Sequence, residues 1–195
     1  MFSSQNIENN IVLAVYQDER SVFRLNDIAQ LIGETDFQTI NKKLNYCVRT
    51  GKLQNPRKGI YTKPNYNPEE LACIIYTPSY ISMEYVLQKT GIIFQYDSGI
   101  TTVSYLSRCI EIKGQTYLFR KIKGEILVNT AGIIQRNNCI NIAMAERAFL
   151  DLLYLNKETY FDNLNPLNKP FIFKLLPIYK SKALSLRVKK LLQND

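Results

Sequence analysis

Residues 25–63 read LNDIAQLIGETDFQTINKKLNYCVRTGKLQNPRKGIYTK. Leu25, Ile28, Ala29 and Ile32 recur at helical spacing, and Gly33 follows them as a C-cap. Thr35 or Asp36 can cap a second helix, which runs to about Thr50 and ends at Gly51. On a helical wheel, Phe37, Ile40, Leu44, Cys47 and Val48 gather on about a third of the circle. The opposite face carries Gln38, Thr39, Lys42, Tyr46 and Arg49, flanked by Lys43 and Asn45. Leu53 to Lys63 then reads as a hairpin, with Pro56 and Gly59 as turn residues.

Working outward, Ile7 to Tyr16 reads as a helix with an irregular apolar stripe of Ile7, Ile11, Leu13, Ala14 and Val15. Ser21 to Phe23 is short and extended. Ala29 stands four positions before Gly33, the usual arrangement of a helix-turn-helix. Residues 37–68 hold seven Lys or Arg and no Asp or Glu: Lys42, Lys43, Arg49, Lys52, Arg57, Lys58 and Lys63. Phosphates attract such a surface whatever the base sequence, because binding releases condensed counterions. The pattern is that of a winged helix-turn-helix spanning residues 1–63. Gln38, Thr39 and Lys42 would then reach base edges in the major groove, while Tyr46, Arg49 and Lys52 meet phosphates. Lys43 flanks this face, and Arg57 and Lys58 at the hairpin tip would sit in or beside the minor groove. The competing reading is a solvated cationic face with no partner.

The chain has 195 residues and a net charge of +8. Nine basic against six acidic groups give +3 for residues 1–63, and sixteen against eleven give +5 for residues 64–195. A nucleic-acid or acidic protein partner therefore suits both parts. There is no His, so Ser-His and Cys-His nucleophile pairs and His-ligated metals are excluded. Cys47, Cys73, Cys109 and Cys139 form no C-x-x-C pair and read as free thiols. No apolar run reaches membrane-spanning length and MFSSQNIENN is no signal peptide, so a cytoplasmic protein without membrane contact is expected.

Lys63-Pro64-Asn65-Tyr66 reads as a hinge into a second domain, residues 64–195. Asn67, Pro68 and Glu70 have the pattern of cap, first helical position and capping box for a helix to about Tyr76. A helix from Ser82 to Lys89 follows. Strands are expected at 100–106, 109–112 and 115–122, with Lys113-Gly114 as a two-residue turn, and shorter ones at 125–128 and 132–135. Ala143 to Leu155 is a strong helix, and Pro170 to Gln193 reads as two more, divided near Ser181. The fold class is α+β, with a winged helix followed by a mixed α/β domain.

In the second domain Arg108, Lys113, Arg120, Lys121 and Lys123 gather around the expected hairpin, and Lys182, Arg187, Lys189 and Lys190 line the last helix. Glu146, Arg147 and Asp151 lie in AERAFLD, where Arg147 and Asp151 share a helix face. That motif reads either as a contact surface or as an ion pair that fixes the helix. One enzymatic alternative is a magnesium-dependent nuclease, since Asp97, Glu111 and Lys113 follow the D…E-x-K order.

The segments RKGIY, KPNYNPEELA, IIYTPSYISMEYVLQKTGII and AERAFLDLLY, in that order, resemble the AbiE-type antitoxins of type IV toxin–antitoxin systems. The resemblance runs from the winged helix to the helix at 143–155. It implies a two-part, non-enzymatic antitoxin that needs no cofactor or metal. The winged helix would repress its operon at inverted repeats in double-stranded promoter DNA, an arrangement that admits a dimer. The C-terminal domain would counter a neighbouring nucleotidyltransferase-class toxin, in such families often without a stable complex. Its tools would be Arg108, Arg120, Lys121, Lys123, Arg147, Lys182, Arg187, Lys189 and Lys190, and its setting phage defence. A plain winged-helix regulator, whose C-terminal domain dimerises or senses a ligand, is the alternative.

Overall fold

Ile11 and Val15, four apart, are fully buried, whereas Leu13 is exposed, so the stripe of the first helix follows i and i+4. The computed structural model describes residues 11–95, 98–136, 139–156 and 158–193, and Ile7 falls outside them. Helix α1 covers residues 11–17. Strand β1 (Val22–Arg24) leads directly into α2 (Leu25–Ile32), which Gly33 ends at φ 66°. Helix α3 (Phe37–Arg49) starts at Asp36, whose carboxylate accepts from Gln38 N. Strands β2 (Gln54–Arg57) and β3 (Ile60–Thr62) form the hairpin. Pro56 stands within β2, so the turn is Lys58-Gly59 and not Pro56. β3 is the middle strand of a three-stranded antiparallel sheet, paired with β1 on one side and β2 on the other.

The described residues fall into two compact units, one ending at Ile75 and one starting at Tyr76, with Cys139 grouping with the first. The core of the first unit joins Ile11, Val15, Phe23, Ile28, Ile40, Leu44, Cys47, Leu53 and Tyr61. Each aliphatic or Phe side chain among them contributes roughly 1.5–3 kcal/mol by leaving water. Phe37 was placed on that apolar face by periodicity but is 45% exposed, because it occupies the first turn of α3.

Helix α4 (Pro68–Ile75) belongs to the first unit. Asn67 caps it as expected, accepting from Glu69 N at 2.9 Å. Glu70 does not close a capping box with Asn67. Its Oε2 accepts from Ser21 N at 2.6 Å, Ser21 Oγ at 2.9 Å and Val22 N at 3.1 Å, and Asn67 N donates to Ser21 Oγ. A buried carboxylate needs several donors, and the start of β1 supplies them.

The second unit holds a six-stranded mixed sheet. Its strands are β4 (Ser79–Ile81), β5 (Ile100–Ser104), β6 (Arg108–Ile112), β7 (Gln115–Lys121), β8 (Ile133–Arg136) and β9 (Ile140–Ala143), in the order β6-β7-β5-β4-β9-β8. β5 pairs parallel with β7, and β4 parallel with β9. Lys113 and Gly114, both at positive φ, make the β6–β7 turn. Helix α5 (Glu84–Lys89) starts two residues later than expected, and β4 and β9 were not foreseen. They are three and four residues long; β4 takes both partners from distant segments, whereas β9 pairs with its hairpin neighbour β8 as well as with distant β4. Residues 125–128, expected as a strand, lie instead in and just after the one-turn helix α6 (Gly124–Leu127), which buries Ile126 and Leu127 side by side.

Helix α7 (Ala145–Leu155) is buried on every side from Glu146 to Leu153. Around it lie α5, β9, α8 (Lys169–Leu175) and α9 (Lys182–Gln193). A 3-10 turn at Leu176–Tyr179 joins the last two helices, close to the expected division. Among the described residues no helix is long and apolar enough to cross a membrane.

Candidate nucleic-acid interface

Burial of Ile40, Leu44 and Cys47 fixes the rotation of α3. Gln38, Lys42, Tyr46 and Arg49 are thereby exposed, at steps of four, four and three residues, which is one stripe of a helix. Thr39 and Lys43 flank it, half-buried. The Arg49 guanidinium lies 5.4 Å from the centre of the Tyr46 ring, within cation–π range. Tyr61 Oη donates to Asn41 Oδ1 at 3.4 Å and so links α3 to β3.

The N-terminal end of the stripe carries a complication that spacing alone concealed. Thr39 Oγ1 donates to Asp36 Oδ2, so the hydroxyl assigned to base reading also serves the helix cap. That bond, with the Gln38 and Thr39 backbone amides, holds the Asp36 carboxyl below its ordinary value. Glu34 Oε1 accepts from Thr35 N and Asp36 N. Two carboxylates thus precede the uninterrupted run of cations.

The hairpin is cross-linked near its tip by a side chain. Asn55 Nδ2 donates to Arg57 O at 3.0 Å and to Ile60 O at 2.8 Å, clamping the two strands across the turn. Lys58 is exposed there, and Arg57 and Lys52 are half-exposed. Tyr16 Oη donates to Lys52 O at 3.1 Å, which ties the loop after α3 back to α1.

The cationic residues of the second unit do not form one surface. In a strand successive side chains alternate faces, and Arg108 pairs with Phe119, so Arg108 and Arg120 point to opposite sides of the sheet. Arg108 is exposed and Arg120 donates to Asn156 Oδ1 at 2.9 Å. Lys121, Lys123, Lys182, Lys189 and Lys190 are exposed. Arg187 was expected on the same surface as these lysines, but its guanidinium turns inward to Leu153 O and Asn156 O and satisfies carbonyls at the end of α7.

Arg147 was also expected on a contact surface and is wholly buried. It faces Asp151 with Nε 3.4 Å from Oδ1 and donates to Ile126 O, Ala131 O and Tyr80 Oη. Asp151 accepts from Tyr179 Oη at 2.6 Å, Ser82 Oγ at 2.8 Å and Tyr80 Oη at 3.0 Å. Burial pushes the Asp151 carboxyl up, while Arg147 and the three hydroxyls oppose that shift. Donors surround the carboxyl, an environment built for the carboxylate. Burial, together with the Asp151 charge, also drives both tyrosines well above their ordinary value. AERAFLD is therefore a core motif. Its i,i+4 spacing foretold the ion pair, whereas Tyr80, Ser82 and Tyr179 carried no local signal.

Two residues of the D…E-x-K order stand at the end of β6 and in the turn that follows it. Glu111 is exposed on β6 opposite Thr116, but Lys113 has left the strand for the turn, so the two share no strand face. Asp97 lies outside the described residues. Among the described residues no group of three or more carboxylates and thiolates is placed to hold a metal ion.

Compared with models of protein families and with curated proteins, the sequence matches none.

Proposed function

We propose that the first unit is a winged helix-turn-helix that binds duplex DNA, with α3 as recognition helix and the β2–β3 hairpin as wing. One observation carries this reading: Gln38, Lys42, Tyr46 and Arg49 form a single exposed stripe on α3, in a run of 32 residues without a carboxylate. The lysines and arginines supply the salt-dependent attraction to phosphates, and Gln38 offers both a donor and an acceptor to a base edge.

The resemblance to AbiE-type antitoxins supports the rest of the reading. The DNA is then the promoter of the protein's own operon. The second unit counters a nucleotidyltransferase-class toxin with the exposed cations Arg108, Lys121, Lys123, Lys182, Lys189 and Lys190, without catalysis. Arg120, Arg147 and Arg187 leave that set, because Arg120 is half-buried and bonded to Asn156, Arg147 is buried and Arg187 caps α7.

Two experiments test the two halves. In DNA titrations, Lys42→Ala or Arg57→Ala weakens binding to all sequences and lowers the salt slope by about 1, whereas Gln38→Ala relaxes sequence preference. Unchanged affinity and selectivity in all three variants would overturn the recognition-helix assignment. In a growth rescue, the neighbouring toxin gene is expressed with the full chain or with fragments divided after Ile75, from a promoter the protein cannot repress. The division follows α4, because Glu70 is buried against Ser21. Rescue by the C-terminal fragment supports an antitoxin activity separate from DNA binding. No rescue even by the full, soluble chain favours the plain regulator.

A further inference from the structure

A groove of about 300 Å³ opens in the first unit between the wing turn and the start of α2. Arg24, Arg57 and Lys58 line it with Asn26 and Gly59, and no carboxylate is among its lining residues. Arg24 is not a loose surface cation: its Nη2 donates to Ile74 O at 2.7 Å, which anchors the guanidinium on the last turn of α4. Leu25 N donates to Gly59 O at 3.1 Å, so the wing turn is fastened to the first residue of α2. The start of α2 is already capped: Asp27 Oδ2 accepts from Arg24 N at 2.7 Å, so the groove's pull on an anion comes from its three cations and not from the helix end.

We infer that this groove is a seat for a phosphate group, held by Arg24, Arg57 and Lys58. Three cations drawn from two separate segments converge on one concavity. The volume admits a phosphate with several waters, each of which takes about 30 Å³ in the liquid. Arginine's planar fork suits phosphate oxygens, and anchoring by Ile74 O lowers the ordering cost on binding. The phosphate comes from the DNA backbone or from a free phosphorylated compound. For the first source the inference rests on the DNA-binding reading, whereas the seat itself does not.

The test uses the full ¹⁵N-labelled chain titrated with pyrophosphate at low salt. The expected result is a saturable shift confined to the amides of Leu25, Asn26, Lys58 and Gly59. In Arg57→Gln/Lys58→Gln the shift is lost while the remainder of the spectrum is kept. No saturable shift at these amides in the well-folded protein, or a shift unaltered in the variant, overturns the seat. A second arm adds duplex DNA to the pyrophosphate-loaded protein. Displacement of pyrophosphate identifies a backbone phosphate as the natural occupant, with a salt slope about 0.9 smaller in a variant that loses one contact. Simultaneous binding identifies a free phosphorylated compound instead. If the seat binds pyrophosphate but Lys42→Ala and Gln38→Ala leave DNA binding unchanged, the recognition-helix reading fails and the seat stands.

Discussion

Asp151→Asn removes one charge from the centre of the second unit at nearly constant volume. The structure sets the size of the effect. Arg147 and Asp151 are both fully buried, and the guanidinium has no water to turn to once the carboxylate is gone. Breaking a buried ion pair by removing one partner costs about 3–5 kcal/mol, mostly through the charge left behind. The Asn oxygen can still accept from the hydroxyls of Tyr179, Ser82 or Tyr80, but its amide brings donors into a site already full of them. We therefore expect a loss of about 3–5 kcal/mol, a large share of the 5–15 kcal/mol typical of a folded domain. Removing the other charge as well, in Arg147→Met/Asp151→Asn, abolishes the orphaned ion. The double variant should lose less than the sum of the two single ones by about 1–3 kcal/mol. Urea unfolding followed by far-ultraviolet circular dichroism measures this cycle, since the chain has no Trp for fluorescence. A cost below about 1 kcal/mol for Asp151→Asn, or strict additivity in the cycle, would refute the argument that this pair organises the core.

Glu70→Ala should destabilise the first unit by about 2–3 kcal/mol, because Ser21 N and Val22 N lose a charged acceptor in a buried place; urea unfolding of that unit reads it. Gly132→Ala should cost roughly 1–3 kcal/mol, since the glycine is at φ 75° and an added Cβ would lie 3.0 Å from Leu175 and 3.1 Å from Arg147; a full-strength thermal transition in the variant would contradict this. The Asp36 carboxyl is held below 3.8 by Thr39, the α3 amides and Lys42, so its cap is fully present above pH 3.8 and is lost as the pH falls through the depressed value. Amide shifts of Gln38 and Thr39 should follow that titration in the intact chain and not in Asp36→Asn.

The local elements were legible where short-range chemistry decides them. Gly33 could be read as a C-cap, Thr35 or Asp36 as the start of α3 and Lys113-Gly114 as a turn, because each depends on a few adjacent residues. The basic stripe on α3 was legible too, since burial of Ile40, Leu44 and Cys47 fixes what faces outward. The reading failed where the same residues admit two outcomes. Residues 124–127 became a helical turn, and β4 gained strand character only from β5 and β9, which lie far along the chain.

By itself, then, the sequence determined the α+β class, the order of the N-terminal elements, the cationic run and the absence of histidine chemistry. These follow from periodicity, capping and composition, which act over a few residues. Tertiary structure alone decided which charges face water. It buried Arg147 against Asp151, Tyr80 and Tyr179, spent Arg187 on the end of α7 and turned Glu70 onto Ser21. It also set Arg24 beside Arg57 and Lys58. An ionic side chain reads the same in a sequence whether it is solvated or desolvated; only the partners that folding brings to it decide between the two.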